Sequence, residues 1–157
     1  WVEQHSPAEV QARYSQPLST MIDGSVASLL RILHYPPQQG ESKAPRANAH
    51  EDINLLTILP AANGPGLLVK HRDGQWITVP NEPGTVIINT GDMLQEASGG
   101  YFPSTTHQVA AGDGVLNESR MSRPLFLPPK AEVKLSDRYT AGAYLQERLQ
   151  ELGVIKA

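Results

Sequence analysis

The sequence predicts an all-β core of jelly-roll type, flanked by N- and C-terminal α-helices. It contains about seven short segments of apolar or β-branched residues, which is typical of a sandwich or barrel. The 13 glycines and 13 prolines are placed so that many of them form turns between these segments. A chain of 157 residues is the right size for one domain.

The N-terminal segment, residues 1–24, is predicted to be helical. Ser6-Pro7-Ala8-Glu9 has the order expected at a helix start: a serine cap, a proline in the first turn, and a glutamate three residues after the cap. We expect a short helix over residues 7–15. Gly24 closes this segment, and the jelly-roll domain follows over residues 25–157.

The strands are predicted from apolar runs that end at turn residues. These runs are residues 25–35, 52–59, 66–71, 75–79, 85–89, 104–111 and 120–127. The first run is apolar on both faces, as expected in the interior of a sandwich. Asp73-Gly74 is a strong hairpin signal, and Pro128-Pro129 ends the series.

The C-terminal region is predicted to be a helix. Thr140 is placed to cap it, and Gly153 is placed to end it. Its expected apolar face consists of Ala141, Tyr144, Leu145, Leu149 and Leu152.

Composition excludes several kinds of site and partner. The chain has 13 Lys and Arg against 16 Asp and Glu, a net charge of −3 without a basic stripe, so we expect no nucleic-acid partner. The absence of cysteine excludes disulfides, thiolate metal sites and cysteine nucleophiles. No apolar run is long enough to cross a bilayer and no charged-then-apolar leader opens the chain, so we expect a cytoplasmic protein without a membrane partner.

Three polar side chains on strand-like segments have the residue types of a metal site. His50 and Asp52 are two residues apart, and alternate residues of a strand point to the same face. His107 would supply the third ligand, completing a facial triad of the kind that binds Fe(II) and leaves coordination positions open. Taken singly, each histidine is better explained as a surface residue or as a core residue whose hydrogen bonds are satisfied.

His71-Arg72-Asp73 has the same spacing as His50-Glu51-Asp52, but it lies at the predicted hairpin tip. The turn there would separate the two side chains, so we interpret this motif as structural.

Arg120 and Ser122 show the same two-residue spacing on an otherwise apolar strand. A buried guanidinium needs an anion to offset its desolvation, and its planar fork binds a carboxylate through two hydrogen bonds. The serine hydroxyl would add one donor. Two interpretations stay equally open: a carboxylate ligand, or an ion pair with one of the protein's own acids.

In this order and on these segments, the five residues resemble those of the iron(II)- and 2-oxoglutarate-dependent dioxygenases. The closest resemblance is to the isopenicillin N synthase-like branch, whose core is a double-stranded β-helix. The likeness extends to the segments 31–37, 49–57, 66–69, 76–85, 89–100 and 139–142, and covers residues 25–155. Asn89-Thr90-Gly91-Asp92-Met93-Leu94-Gln95 is the most specific of these motifs.

The resemblance implies that His50, Asp52 and His107 hold Fe(II). It also implies that Arg120 and Ser122 bind the distal carboxylate of 2-oxoglutarate, while the keto-acid end chelates the metal. Tyr35 lies where family members use a tyrosine to help hold that carboxylate, although an ordinary core aromatic explains it equally well. The implied activity is oxidation of a small organic substrate by O₂ (hydroxylation, desaturation or ring closure), with formation of succinate and CO₂.

Two alternatives stay open at this point. An oxidase of the same branch that does not use 2-oxoglutarate would employ Arg120 for a substrate or activator carboxylate. A truncated, non-catalytic metal- or ligand-binding jelly roll is the other, because family members are much longer. Since the chain begins at Trp1 without an initiator Met, we expect the C-terminal core of a longer enzyme. A missing N-terminal half or a dimer would then cover the exposed core surface.

Overall fold

Two four-stranded antiparallel sheets and one two-stranded sheet form the core of the protein, in a computed structural model that describes residues 1–38, 44–111 and 118–156. Within these ranges the helices are α1 (Ala8–Gln11), α2 (Leu18–Ile22), α3 (Asp92–Ala97) and α4 (Ala141–Glu151). The strands are β1 (Leu29–Leu30), β2 (Leu33–Tyr35), β3 (Ala47–His50), β4 (Leu56–Pro60), β5 (Leu67–Lys70), β6 (Trp76–Thr78), β7 (Val86–Thr90), β8 (His107–Val109), β9 (Arg120–Ser122) and β10 (Leu125–Leu127).

From β3 onward the chain crosses repeatedly between the two large sheets, with the β5–β6 hairpin inside the second, which is the topology of a jelly roll. The first sheet has the strand order β1-β10-β4-β7, and the second has the order β3-β8-β5-β6. Strands β2 and β9 pair separately, with Tyr35 opposite Arg120 and Leu33 opposite Ser122. The predicted all-β jelly-roll class with helices at both ends is therefore confirmed.

Three of the predicted strands are interrupted in the structure. Residues 25–35 contain two short strands, β1 and β2, instead of one. Residues 120–127 are divided by Arg123-Pro124, because a proline has no N–H to donate to a ladder. Residues 52–55 leave the sheet and bond to the start of α3, with Asp92 N donating to Asp52 O at 2.9 Å and Met93 N donating to Asn54 O at 3.0 Å.

The predicted helix boundaries are confirmed at the C-terminus and wrong at the N-terminus. Thr140 Oγ1 accepts from Ala143 N at 3.3 Å and so caps α4. The expected helix over 7–15 stops at Gln11, and a second helix, α2, follows it. Ser6 does not cap α1, because its hydroxyl donates to Val2 O at 2.8 Å and Pro7 takes the cap position.

The main apolar cluster lies among the helices and not between the sheets. It joins α2, α3, α4 and the segment before α4 through eight buried residues: Met21, Leu55, Met93, Leu94, Ala97, Val133, Leu135 and Ala141. Tyr144 and Leu145 of α4 pack against this cluster, whereas Leu152 follows the helix and is exposed, contrary to its predicted place on the apolar face. Among the described residues, no helix has the length and apolar character needed to span a membrane.

The expectation that residues 25–35 lie inside the sandwich is wrong for the part before β2, whereas Leu33 and Tyr35 of β2 face the space between the sheets. Val26, Leu30 and Ile32 are exposed, and β1 is an edge strand that pairs only with β10 among the described strands. Leu30 belongs to a cross-strand row on the outer face of the first sheet, which continues through Leu125 and Ile58 to Ile88. This outer face is apolar, whereas the face of an antiparallel sheet that is exposed to water normally carries polar residues.

Candidate metal centre

The two histidines of the candidate site lie opposite each other on neighbouring strands of the second sheet. His50 is the last residue of β3, His107 is the first of β8, and they are direct partners in the ladder. Their ring centroids are 4.3 Å apart. Antiparallel pairing therefore brings together side chains that are far apart in sequence.

The position of Asp52 next to the two histidines does not follow from strand periodicity. We predicted that His50 and Asp52 share one face of a strand, but β3 ends at His50 and Asp52 lies in the irregular segment that follows. This segment directs the carboxylate toward both rings. Asp52 Oδ1 lies 3.9 Å from His50 Nε2 and 3.8 Å from His107 Nε2.

Each imidazole is oriented by a backbone carbonyl two residues upstream. His50 Nδ1 lies 2.7 Å from Asn48 O, and His107 Nδ1 lies 2.8 Å from Thr105 O. Because a carbonyl oxygen can only accept, Nδ1 must carry the proton in both rings. The Nε2 lone pairs are then free to bind a metal ion, as is usual for histidine ligands.

The donor atoms fit a divalent transition metal. The ligand atoms of His50, Asp52 and His107 all lie within 4.8 Å of one another, and they form the one such group of histidine and acidic side chains within the described ranges. Two imidazole nitrogens and one carboxylate oxygen are the donor set of the non-haem Fe(II) facial triad.

Arg120 is a buried guanidinium in the same cavity. Its Nε donates to Gly64 O and Pro65 O, both at 3.1 Å, while Nη1 is buried without a hydrogen-bond partner. Burial lowers the pKa of Arg120; the nearby Tyr35 raises it, and the charge of Arg46 lowers it further. None of the acids in the described part of the chain forms a salt bridge with Arg120.

The other two candidate residues for carboxylate binding lie beside this guanidinium. Ser122 is buried two residues further along β9. The Tyr35 ring centroid is 5.6 Å from the Arg120 guanidinium carbon, within reach of a cation–π contact. All six residues singled out in the sequence line one cavity between the sheets: Tyr35, His50, Asp52, His107, Arg120 and Ser122.

Sequence reasoning missed two polar residues of this cavity, Thr57 and Asn89. Both donate to Asp52 Oδ2, Thr57 Oγ1 at 2.6 Å and Asn89 Nδ2 at 2.9 Å. The sequence does contain a signal for both residues, because Thr57 ends the family-like segment 49–57 and Asn89 begins the family-like segment 89–100.

The second His-x-Asp pair behaves differently. His71 and Asp73 lie at the β5–β6 hairpin and are about half exposed, with His71 Nδ1 3.0 Å from Asp73 Oδ1. The expectation that the turn separates the two side chains is therefore wrong. Their hydrogen bonds stabilise the turn, since Gln75 N donates to Asp73 Oδ1 at 2.9 Å. The backbone N–H of Gln75 and the His71 bond lower the pKa of Asp73. No third ligand joins this pair in the ranges that the structure covers.

A jelly roll with an oriented His-Asp-His group, next to a buried arginine that faces no acid in the described chain, fits a non-haem iron centre of the oxygenase type. The sequence profile of the 2OG-Fe(II) oxygenase superfamily matches residues 26–129. The chain belongs to this superfamily. The superfamily is named for Fe(II) and 2-oxoglutarate, and the isopenicillin N synthase-like branch is consistent with this assignment.

Several relatives support the assignment. Gibberellin 3-beta-dioxygenase 1 of Arabidopsis thaliana is 35% identical over 68% of this chain and 29% of its own length. A 2-oxoglutarate-dependent dioxygenase of Gibberella zeae is 36% identical over 70% of this chain and 33% of its own. The chain therefore spans about a third of the length of these curated relatives.

Solved structures show the same fold. A Shewanella oneidensis protein described as an oxygenase is 58% identical, with a TM-score of 0.90, over 99% of this chain and 58% of its own. A full-length Neurospora crassa protein in complex with α-ketoglutarate (2-oxoglutarate) is 26% identical, with a TM-score of 0.72, over 85% of this chain and 47% of its own.

Proposed function

We propose that this chain is the metal-bearing core of an Fe(II)- and 2-oxoglutarate-dependent oxygenase that oxidises a small organic substrate. His50, Asp52 and His107 would hold the metal. Arg120 and Ser122 would bind the distal carboxylate of 2-oxoglutarate. The observation that carries the proposal is the buried Arg120, which faces the same cavity as the triad and pairs with no acid of the described chain.

The roles of these side chains follow from their surroundings. Bound Fe(II) and 2-oxoglutarate supply the oxidising chemistry, in which O₂ is consumed and succinate and CO₂ are formed. Arg120 is fixed by two backbone carbonyls, so an incoming carboxylate meets a guanidinium that is already oriented. Ser122 adds a hydroxyl donor on the same face of β9. Leu33, Pro124 and Phe126 line the cavity and exclude water, which strengthens the charge interaction.

Tyr35 is proposed as a third contact for the distal carboxylate. Its support is its position opposite Arg120 in the β2–β9 pair and the distance of its ring from the guanidinium. Because Leu33 opposite Ser122 is apolar, β2 offers few polar contacts to a co-substrate.

Anaerobic addition of Fe(II) and 2-oxoglutarate tests the proposal. The complex is expected to show a metal-to-ligand charge-transfer band, and Arg120→Ala should weaken 2-oxoglutarate binding by about tenfold or more, because a charge-assisted bidentate contact is lost. Arg31→Ala, an exposed arginine of the segment between β1 and β2, is the matched control. A folded, iron-loaded protein without the band would refute the use of 2-oxoglutarate.

Two measurements separate the alternatives. Succinate formation coupled to O₂ uptake would exclude an oxidase that does not use 2-oxoglutarate. Binding of iron and 2-oxoglutarate without any O₂ consumption would favour the non-catalytic module. The relatives carry names that refer to gibberellin, to auxin oxidation and to thymine, so the substrate is proposed only as a small organic molecule.

The domain division proposed here is a residual helical segment, 1–24, and a jelly-roll domain, 25–157.

We propose further that the apolar outer row from Leu30 to Ile88 is covered by polypeptide of a longer chain. The Shewanella oneidensis structure supports this, since the match covers 58% of that chain and leaves the rest outside it. Light scattering of this chain tests the idea, because a dimer would indicate that a second copy covers the face instead. The cytoplasmic location stays a prediction.

A further inference from the structure

The two carboxylate oxygens of Asp52 have different surroundings. Oδ1 faces the Nε2 atoms of His50 and His107 at 3.9 and 3.8 Å. Oδ2 points away from the rings and accepts hydrogen bonds from Thr57 and Asn89. Asp52 itself is buried, so these bonds are shielded from competition with water.

The direction of the Thr57 hydrogen bond is determined by a third residue. Asn54 Nδ2 donates to Thr57 Oγ1 at 2.9 Å. A threonine hydroxyl has one proton, and because Thr57 Oγ1 accepts from Asn54, that proton is directed to Asp52. The bond of 2.6 Å to Oδ2 is in the short range of charge-assisted bonds.

The two donors are held rigidly with respect to each other. Thr57 on β4 and Asn89 on β7 are direct partners across the first sheet, so their side chains leave the same inner face. β4 is a central strand of the first sheet, paired with β10 on one side and with β7, the last strand in the described order, on the other. Rotation of the Asp52 carboxylate would break both bonds at once.

From this arrangement we infer that Thr57 and Asn89 confine Asp52 to one ligand atom, so that it binds the metal through Oδ1 alone. This inference rests on the proposed function. With two imidazoles and one carboxylate oxygen as its protein ligands, the metal would keep positions open for other ligands. A carboxylate that bound through both oxygens would take one of the positions needed for 2-oxoglutarate and O₂. Thr57 and Asn89 are thus positioning residues that keep a coordination position open.

The test uses Thr57→Val, which keeps the shape of the side chain and removes its hydroxyl. Mn(II) affinity is measured by electron paramagnetic resonance, and 2-oxoglutarate affinity is measured from the anaerobic Fe(II) charge-transfer band. With Oδ2 released, the second carboxylate oxygen would bind the metal and offset the lost hydrogen bond, so Mn(II) affinity should stay within about threefold of the unmodified chain, whereas the Kd for 2-oxoglutarate should rise about tenfold or more. Thr57→Ser, which retains the donor, should restore the original 2-oxoglutarate affinity.

Further variants separate this role from a general effect on folding. Asn89→Leu removes the other donor and should likewise weaken 2-oxoglutarate binding while leaving Mn(II) binding nearly unchanged. This variant keeps the inference testable if Thr57→Val fails to fold. Thr85→Val, which removes a hydroxyl bonded to Glu82 O in an exposed turn, should change neither affinity.

Three results would overturn the inference in distinguishable ways. An unchanged Kd for 2-oxoglutarate in Thr57→Val would show that the bonds to Oδ2 do not protect a coordination position. A parallel loss of Mn(II) and 2-oxoglutarate affinity would show that they only hold the ligand in place. If the folded, unmodified chain bound neither Fe(II) nor 2-oxoglutarate, the proposed function itself would be refuted.

Discussion

Gly91 packs against the segment that carries the metal-binding carboxylate, and its replacement by alanine gives the sharpest prediction. A Cβ at this position would lie 2.3 Å from Asn54 Oδ1, 2.4 Å from Asn54 O and 2.6 Å from Asp52 O. Non-bonded heavy atoms are normally separated by roughly 3.5 Å, so the backbones must move apart by about 1 Å. Because two of the three oxygens belong to the backbone, no change of side-chain rotamer relieves the contact.

The expected cost has two parts. Overpacking of this kind destabilises by about 1–3 kcal/mol. The separation also strains the hydrogen bonds that join the start of α3 to residues 52–55, where Gly91 N donates to Leu55 O at 3.1 Å and Asp92 N donates to Asp52 O at 2.9 Å. A loss of about 3 kcal/mol corresponds to a decrease in Tm of roughly 6–12 °C for a domain of this size. Displacement of Asp52 should also weaken metal binding by about 10–100-fold.

Thermal unfolding and Mn(II) titration of Gly91→Ala check both effects. Gly64→Ala is the control for stability, because a Cβ there meets nothing within 4 Å and the residue does not need a positive φ. We expect its Tm to stay close to that of the unmodified chain. A folded Gly91→Ala protein with an unchanged Tm and unchanged metal affinity would refute the reasoning from close approach.

Two further predictions concern the metal site and the apolar cluster. Saturation with Mn(II) at about 100 times its Kd should stabilise the chain by about 2.7 kcal/mol in thermal unfolding. His50→Ala should abolish this effect and His71→Ala should leave it intact; equal losses would contradict the assignment. Leu94→Ala, at a fully buried position, should lower the free energy of unfolding by about 2–5 kcal/mol in denaturant titration. Ile88→Ala, at a position 63% exposed, should change it by about 0.5 kcal/mol or less, and a larger loss would mean that this face is covered in solution.

The difference between His50-x-Asp52 and His71-x-Asp73 shows how far sequence spacing can be used. Both pairs have the same spacing, and in both the carboxylate lies beyond the end of the strand. Only the first pair meets a third ligand in the described chain, because β3 pairs with β8 in the register that places His50 opposite His107. That register is a property of strands far apart in sequence, and local periodicity carries no information about it.

The misplaced elements have a similar explanation. Residues 52–55 are apolar enough to continue a strand, but their backbone groups are bonded by α3. Residues 92–97 form that helix in the interval between the predicted strands 85–89 and 104–111, where no element was predicted. The irregular conformation of residues 52–55 and the helix at residues 92–97 depend on each other, so neither could be predicted from its own segment alone.

By itself, the sequence determined the jelly-roll class, the turns that separate its strands, and the residue types of the site, because each depends on local pattern or on a short motif. Only the tertiary structure decided that Arg120 faces no acid of the described chain, that Asp52 turns Oδ1 toward both histidines, and that Thr57 and Asn89 hold Oδ2. These are relations between β3, β4, β7, β8 and β9, and they depend on how distant strands pair and on which side chains they bury together.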